Sequence, residues 1–377
     1  MGILKTVAEK VFRRLPLGNY IIFESAPDLS DSTKSVFEEM LRRGLNEKYK
    51  LIWWINDADS SDFKKIKNVK YIKYNGLLNK FTFLFYRERA KCIVECNRFL
   101  VSTRKGQVSI YIAHGTPLKS TRSYYNVPHE IDYLVVAGDV AAEISAYEYN
   151  YPINRIYSLG LPRNDELLSK KIDINSLFAS NYSKIVVWYP TYRQHKSSKS
   201  NYNGKSLPII HDVDIAKQID IVAKKLNMLI VLKPHFAQDV KYVKDLGLEN
   251  IKFINDEFFM QNDITSYEFV GNCDAMITDY SSIYFDYSLC NKPMALVLED
   301  LFEYKEDTGL INNFDEYTEG AVKIRNYEEM ISFLECVANE IDELKDTRNE
   351  VCGWANYSRV ADNTTRVTDF VIQKSCL

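Results

Sequence analysis

At 377 residues the chain is too long for one ordinary domain and long enough for two of similar size. Its composition, 46% hydrophobic and 26% charged, is that of a globular protein with large cores, and a net charge of -3 excludes any general attraction to nucleic acid. No apolar stretch approaches the roughly 20 residues that cross a bilayer, and no secretory signal pattern is legible.

Residues 1–15 predict an amphipathic helix. Ile3, Leu4, Val7, Val11, Phe12 and Leu15 share one face, with Lys5, Lys10, Arg13 and Arg14 beside or opposite it. Such a helix rests either on an anionic membrane surface or on its own domain. Short β-branched or aromatic runs follow at 20–24, 50–55, 69–74, 91–96, 108–113, 133–138 and 156–160. A second series lies at 184–190, 228–234, 251–255, 275–278 and 293–298. Several are apolar without alternation, the mark of parallel strands covered on both faces.

Helical seams separate the runs. Ile215, Ile219, Val222 and Leu226 form one, with Asp212 or Asp214 as a cap, and Met330, Leu334, Val337, Ile341 and Leu344 form another. The alternation predicts an α/β protein of two doubly wound, Rossmann-like domains. The expected division is 1–168, a linker at 169–183, a second domain at 184–350, and a C-terminal helix in 351–377 that returns to the first domain. The seven cysteines (92, 96, 273, 290, 336, 352 and 376) are scattered, and Cys92 and Cys96 lack a second close pair for a zinc site. Free thiols in a reducing cytoplasm are expected. The acidic Asp57-Ala58-Asp59 reads as a solvated loop rather than a metal site, so no metal is expected.

Four strand ends carry candidate chemistry, because ligands of such sheets bind at the carboxyl ends of the strands. The run 108–113 leads into His114-Gly115-Thr116, a general-base position beside a glycine that lets a ligand approach. WYPTYR places Thr191 and Arg193 within reach of a phosphate. In VLKPHF, Lys233 and His235 bracket a stiff proline and aim two potential cations at one place. In AMITDYSSIYFDY, Thr278 and Asp279 precede Ser281 and Ser282 at a helix start, with Asp286 on the next turn, an arrangement suited to an anion.

HGTPLK (114–119), GLPRND (160–165), YPTYR (189–193), KPH (233–235) and TDYSSIYFDY (278–287) occur in this order. Together they resemble the CDP-glycerol glycerophosphotransferase family of teichoic acid and capsule synthesis, as do FESAPDLSDSTK (23–34) and KLIWWIND (50–57). The resemblance runs from about Asn19 to Tyr304. It implies a GT-B fold, two Rossmann-like domains facing a cleft. It also implies transfer of glycerol phosphate, or a related alditol phosphate such as ribitol phosphate, from a CDP-linked donor to a polymer hydroxyl with release of CMP. His114 corresponds to the family's catalytic base and His235 to a second histidine near the donor phosphates. Ser281 and Ser282 correspond to diphosphate ligands, with Gly115, Thr116, Arg163, Thr191, Arg193, Lys233, Thr278, Asp279 and Asp286 on the donor side. Expected partners are CDP-glycerol or CDP-ribitol, a lipid-linked or polymer acceptor, and the cytoplasmic face of a bacterial membrane; no cofactor is expected. A GT-B glycosyltransferase using a nucleotide sugar is the alternative with the same fold. A non-catalytic partner of polymer assembly is the alternative without chemistry. Ala113 and Tyr192 depart from the family pattern, which places Trp at both positions.

Overall fold

The computed structural model describes residues 2–56, 65–169, 171–191, 207–235 and 240–375. Asp57-Ala58-Asp59, Tyr192, Arg193 and Cys376 lie outside the described residues. Among those described, strands form two sheets in which every pairing is parallel.

The first sheet holds β1 (Tyr20–Glu24), β2 (Lys50–Ile55), β3 (Val69–Lys73), β4 (Cys92–Glu95), β5 (Val108–Ile112), β6 (Tyr133–Val136) and β7 (Ile156–Ser158). Their order is β3-β2-β1-β4-β5-β6-β7. The second holds β8 (Lys184–Trp188), β9 (Met228–Leu232), β10 (Ile251–Phe253), β11 (Ala275–Thr278), β12 (Met294–Val297) and β13 (Val322–Ile324), ordered β10-β9-β8-β11-β12-β13. Both are doubly wound, with the strand order reversing between β1 and β4 and between β8 and β11. The crevice at such a reversal is where sheets of this kind bind ligands.

Unbroken apolar runs produce these sheets because both faces are covered. Ile21 and Phe23 enter one core cluster of the first sheet, with Trp53 and Phe37, while Ile22 and Ile52 enter a second cluster with Phe83. Successive side chains point to opposite faces, so both parities must be apolar. The sequence pattern omits only β13, a three-residue edge strand whose Val322 is exposed and which lies between Ala321 and Arg325 without a longer apolar run.

The first two helices flank β1: α1 (Gly2–Arg14) and α2 (Asp31–Arg42); α3 (Leu77–Arg87) follows β3. α1 lies against its own unit through Phe12, edge-on to Phe85 at 5.4 Å, and through Arg13 Nε, 2.9 Å from Glu88 Oε2. It still leaves Leu4, Val7 and Val11 exposed, at 66%, 53% and 51%. Docking and an outward apolar stripe therefore coexist.

In the second unit the helix Val213–Lys225 is capped by Asp212, whose side chain accepts from the Asp214 and Ile215 amides. The expected seam from Met330 to Leu344 is helical only over Tyr327–Ala338; Glu340 turns left-handed at φ 59° and Ile341 is exposed. The stretch from Trp354 to Lys374 is likewise not one helix. One helix ends at Ala355 and another spans Asn363–Lys374. Asn356 turns extended and its amide bonds Phe285 O and Ser288 Oγ, which draws the chain off the helical path.

The chain forms two compact units, 1–116 with 124–165 and 360–377, and 117–123 with 166–359. The segment 117–123 is stitched into the second by a Lys119–Leu310 bridge and by bonds from Ser120 N to Gly309 O and from Ile311 N to Leu118 O. The stretch expected as a linker includes a short helix, Ile174–Leu177. The described cysteines at 92, 96, 273, 290, 336 and 352 are unpaired thiols.

The C-terminal helix is fixed within the first unit by the GLPRND turn. Asp165 accepts from the Asn363 and Thr364 amides at 3.1 and 2.8 Å, and Arg366 donates to Leu159 O. Gly160 sits at φ 81°, and a Cβ there would lie 1.8 Å from Asn363 Oδ1. Gly160→Ala is expected to lower stability by about 2–4 kcal/mol in urea unfolding, combining overpacking with a left-handed backbone. Pairing it with Asn363→Ala should recover part of that loss, since the clash goes and only the backbone strain remains.

Candidate active site

Chemistry-bearing side chains gather at the carboxyl ends of each sheet, and each group is complete within its own unit. In the first unit, β5 runs through Ala113 into His114, Gly115 and Thr116. Gly115 adopts φ 120°, and its carbonyl accepts the Tyr149 hydroxyl at 3.3 Å. The turn is thus held from behind, while the His114 side chain remains 54% exposed.

His114 is held by a residue that sequence reasoning did not single out. Asp31 opens α2 at φ 58°, a conformation Asp tolerates better than most residues. Its Oδ2 lies 2.5 Å from His114 Nδ1 and 3.0 Å from Arg163 Nη1, and its Oδ1 accepts the Ser32 amide at 2.6 Å. Burial alone would raise the Asp31 carboxyl. The Arg163 guanidinium, then the His114 ring and the Ser32 amide, outweigh it and hold the group well below its ordinary 3.8. A carboxylate that stays ionised accepts the Nδ1 proton of the neutral imidazole, so the lone pair sits on Nε2. That is the geometry of an oriented general base.

Arg163, expected on the donor side, is buried beside Asp31. Its side chain is 8% exposed and is committed to Asp31, so it serves the histidine through the carboxylate. Thr116 is also buried. The signal for Asp31 was present in FESAPDLSDSTK, but an acid in a Ser-rich turn reads equally as a helix cap.

The second unit assembles its group at the β8/β11 reversal. Thr191, just past β8, donates its amide to Asp279 Oδ2 at 2.8 Å and its hydroxyl to Asp279 Oδ1. Thr278 Oγ1 donates to Tyr189 O at 2.8 Å. Asp286 is fully buried and accepts the Tyr267 hydroxyl at 2.7 Å. Thr278 and Asp279 therefore brace the two strand ends, and Asp286 ties the helix Ile283–Tyr287 to the helix Ser266–Asn272. Ser281 and Ser282 remain half-buried at the tip, where the helix Ile283–Tyr287 begins with no side-chain cap from Ser282. That helix spans one turn and a half, so its dipole is smaller than the sequence pattern suggested.

Lys233 and His235 follow β9. Lys233 Nζ lies 3.0 Å from Asp256 Oδ1 and 5.8 Å from the centre of the Tyr189 ring. His235 is pushed below its ordinary 6.5 by burial, then by the charges of Lys233 and Lys119. Both causes favour the neutral ring over the cation. Lys119 is the second residue that sequence reasoning passed over; the 117–123 segment carries it to this group. Beside them a cavity of about 350 Å³ is lined by Pro234, His235, Phe253, Ile254, Asn255 and Phe258. No cluster of three or more His, Cys, Asp or Glu side chains suited to a metal occurs among the described residues.

Comparison with known proteins identifies the family. The profile of the CDP-glycerol:poly(glycerophosphate) glycerophosphotransferase family matches residues 7–373. A teichoic acid poly(glycerol phosphate) polymerase of Staphylococcus epidermidis is 25% identical over 334 residues, 79% of this chain but 42% of that protein. A polymerase of the same description from Bacillus spizizenii is 24% identical over 384 residues, covering 88% of this chain and 92% of the relative. The solved structure of the wall teichoic acid polymerase TagF superposes with a TM-score of 0.73 at 21% identity, over 99% of this chain and 94% of that one.

Asp31→Asn tests the histidine geometry directly. Nitrogen-15 NMR of the parent should show neutral His114 protonated on Nδ1, and the variant should show a mixture of tautomers. Breaking the buried pair with Arg163 is expected to cost about 3 kcal/mol of stability. The sign with pH follows from the depressed carboxyl: the stabilisation is present above the ordinary 3.8 and fades as pH falls below it. The parent and Asp31→Asn stabilities should therefore converge in acid.

Proposed function

The chain belongs to the CDP-glycerol:poly(glycerophosphate) glycerophosphotransferase family, and on that premise we propose that it transfers glycerol phosphate from a CDP-linked donor to a hydroxyl of a teichoic-acid or capsular polymer, releasing CMP. The observation that carries this reading is the Asp31-oriented imidazole of His114, whose Nε2 is left to accept a proton. A binding module has no need of an ion-paired carboxylate behind an exposed histidine.

In the GT-B arrangement adopted for this reading, the second unit holds the donor. The nucleoside enters the cavity beside His235, and the diphosphate lies against Ser281, Ser282 and the Lys119–Lys233 pair. The acceptor hydroxyl attacks the phosphorus distal to the nucleoside, in line with the bridging oxygen. As the new P–O bond forms, the hydroxyl proton passes to His114 Nε2 and the bridging P–O bond breaks. CMP leaves with the electron pair, its growing charge met by Lys119, Lys233 and the N–H of neutral His235. Charge on the donor is handled by side chains in this scheme, with no metal assigned a role. The exposed stripe of Leu4, Val7 and Val11, with Lys5 and Lys10 nearby, supports docking of α1 on the anionic cytoplasmic face of a membrane.

Incubation with CDP-glycerol, CDP-ribitol and a lipid-linked acceptor, followed by chromatography of the nucleotide and mass analysis of the adduct, tests the reaction. CMP and a glycerol-phosphate adduct are expected. A ribitol-phosphate adduct would reassign the alditol, and a nucleoside diphosphate released from a nucleotide sugar would replace this reading with glycosyl transfer. His114→Ala should lower turnover by ~10²–10⁴ while donor binding survives. Lys119→Ala should weaken donor binding by about tenfold, the scale of one lost charge-assisted contact.

A further inference from the structure

A cavity of about 400 Å³ opens beside α1 and α3 in the first unit, away from His114 and its partners. Its walls are apolar: Trp54, Tyr74, Leu77, Phe83, Leu84 and Leu100. Trp54 is fixed by stacking on Phe83 at 3.8 Å, so the cavity has a rigid aromatic wall. The volume falls in the ~300–1,000 Å³ range of small-molecule pockets.

Three cations reach this apolar space. Lys5, Lys80 and Arg87 line it, and Lys80 Nζ lies 5.5 Å from the centre of the Tyr74 ring. Arg87 Nε is buried without a hydrogen-bond partner among the described residues. Acids offset them only in part. Glu9 pairs with Lys5 at 3.8 Å. Glu88 is shared: it stands 3.7 Å from Arg87, but its other oxygen is already taken by Arg13 Nε at 2.9 Å and Thr103 Oγ1 at 2.8 Å. Glu95 faces Arg87 but is pushed by burial toward its neutral form, while Lys80 has no ion pair among the described residues. Around the opening, Leu4, Leu77 and Leu78 are exposed at 66%, 58% and 79%. An uncharged ligand would leave the cations unanswered, and a simple anion would leave the walls unfilled.

We infer that this cavity takes one hydrocarbon chain of an anionic membrane phospholipid, with its phosphate against Lys80, Arg87 and Lys5. The site goes beyond the transferase reading and needs no turnover. It draws on that reading only for the membrane that supplies the lipid. Each methylene moved from water into such walls is worth about fourfold in affinity, so chain length sets the strength of binding.

Lysophosphatidylglycerol with a brominated acyl chain, used below its micelle concentration with the full-length chain, reads the site directly. Bromine in the cavity should quench Trp54 saturably, and Trp54→Phe should abolish most of the quenching. Leu84→Phe, which fills the space, should weaken binding about tenfold. Leu77→Glu, at an exposed position where folding is safe, should do the same by adding a negative charge at the opening. The lysophosphatidylcholine analogue should bind about tenfold more weakly, and the double variant Lys80→Gln, Arg87→Gln should erase that preference. Quenching unchanged by Trp54→Phe, or by both Leu84→Phe and Leu77→Glu, would show that the chain does not enter and overturn the assignment. Loss of CMP release with lipid binding intact would strike the transferase reading alone.

Discussion

A single carboxylate organises the first unit. Asp31 is buried, and a buried charge persists only where it is paired and hydrogen-bonded. One partner is its own neighbour, the Ser32 amide at the head of α2, and two come from distant parts of the chain, the guanidinium after β7 and the imidazole after β5. Neither of the distant two would stay in place alone. An unpaired Arg163 could not remain buried, and His114 without the acceptor on its Nδ1 would be free to turn and to exchange tautomers. The doubly wound sheet brings the strand ends together, and the carboxylate converts that proximity into a fixed ring with its lone pair outward.

The second unit applies the same device to a different end. Asp279 spends both oxygens on Thr191, binding the segment after β8 to the segment after β11 across the reversal in strand order. Thr278 adds a second tie between the same segments. Residues that look like ligands in the sequence thus become the frame, and Ser281 and Ser282, held at the end of that frame, become the groups able to touch an anion. Preorganisation of this kind matters for phosphoryl chemistry, where positioning and charge stabilisation carry most of the catalysis.

The strands were legible because covered parallel strands must be apolar at every position, and that requirement leaves an unmistakable run of Ile, Val, Trp and Phe. β13 escaped because VKI presents only Ile324 as a buried apolar residue and no apolar run extends it. The positions of His114, His235 and the paired serines at strand ends were legible because the end of a strand fixes where the next side chain goes. Asp31 and Lys119 were not, and for different reasons. The role of Asp31 depends on contacts with residues 114 and 163, far along the chain. Lys119 sits in a recognised motif, but its placement depends on the 117–123 segment joining the second unit through the Gly309–Ile311 loop. Local pattern reports neither kind of long-range pairing. The same limit explains the C-terminal region, where a tertiary tie from Asn356 to the Phe285–Ser288 turn interrupts what periodicity reads as one helix.

If the proposed transfer takes place beside His235, a ring that favours neutrality there has a use. Burial, then the charges of Lys233 and Lys119, raise the cost of protonating the ring and so favour its neutral form. A neutral imidazole still offers one N–H to an oxygen, without tightening the grip on an anion that must later depart. When two phosphates bring negative charge to the same place, the balance reverses: the lysine fields are offset and protonation of the ring becomes easier. The electrostatic response is then largest when the anion is largest, on the way to the leaving group. A permanent third cation would have stabilised bound donor and departing nucleotide alike, which lowers the free energy of both without lowering the barrier between them.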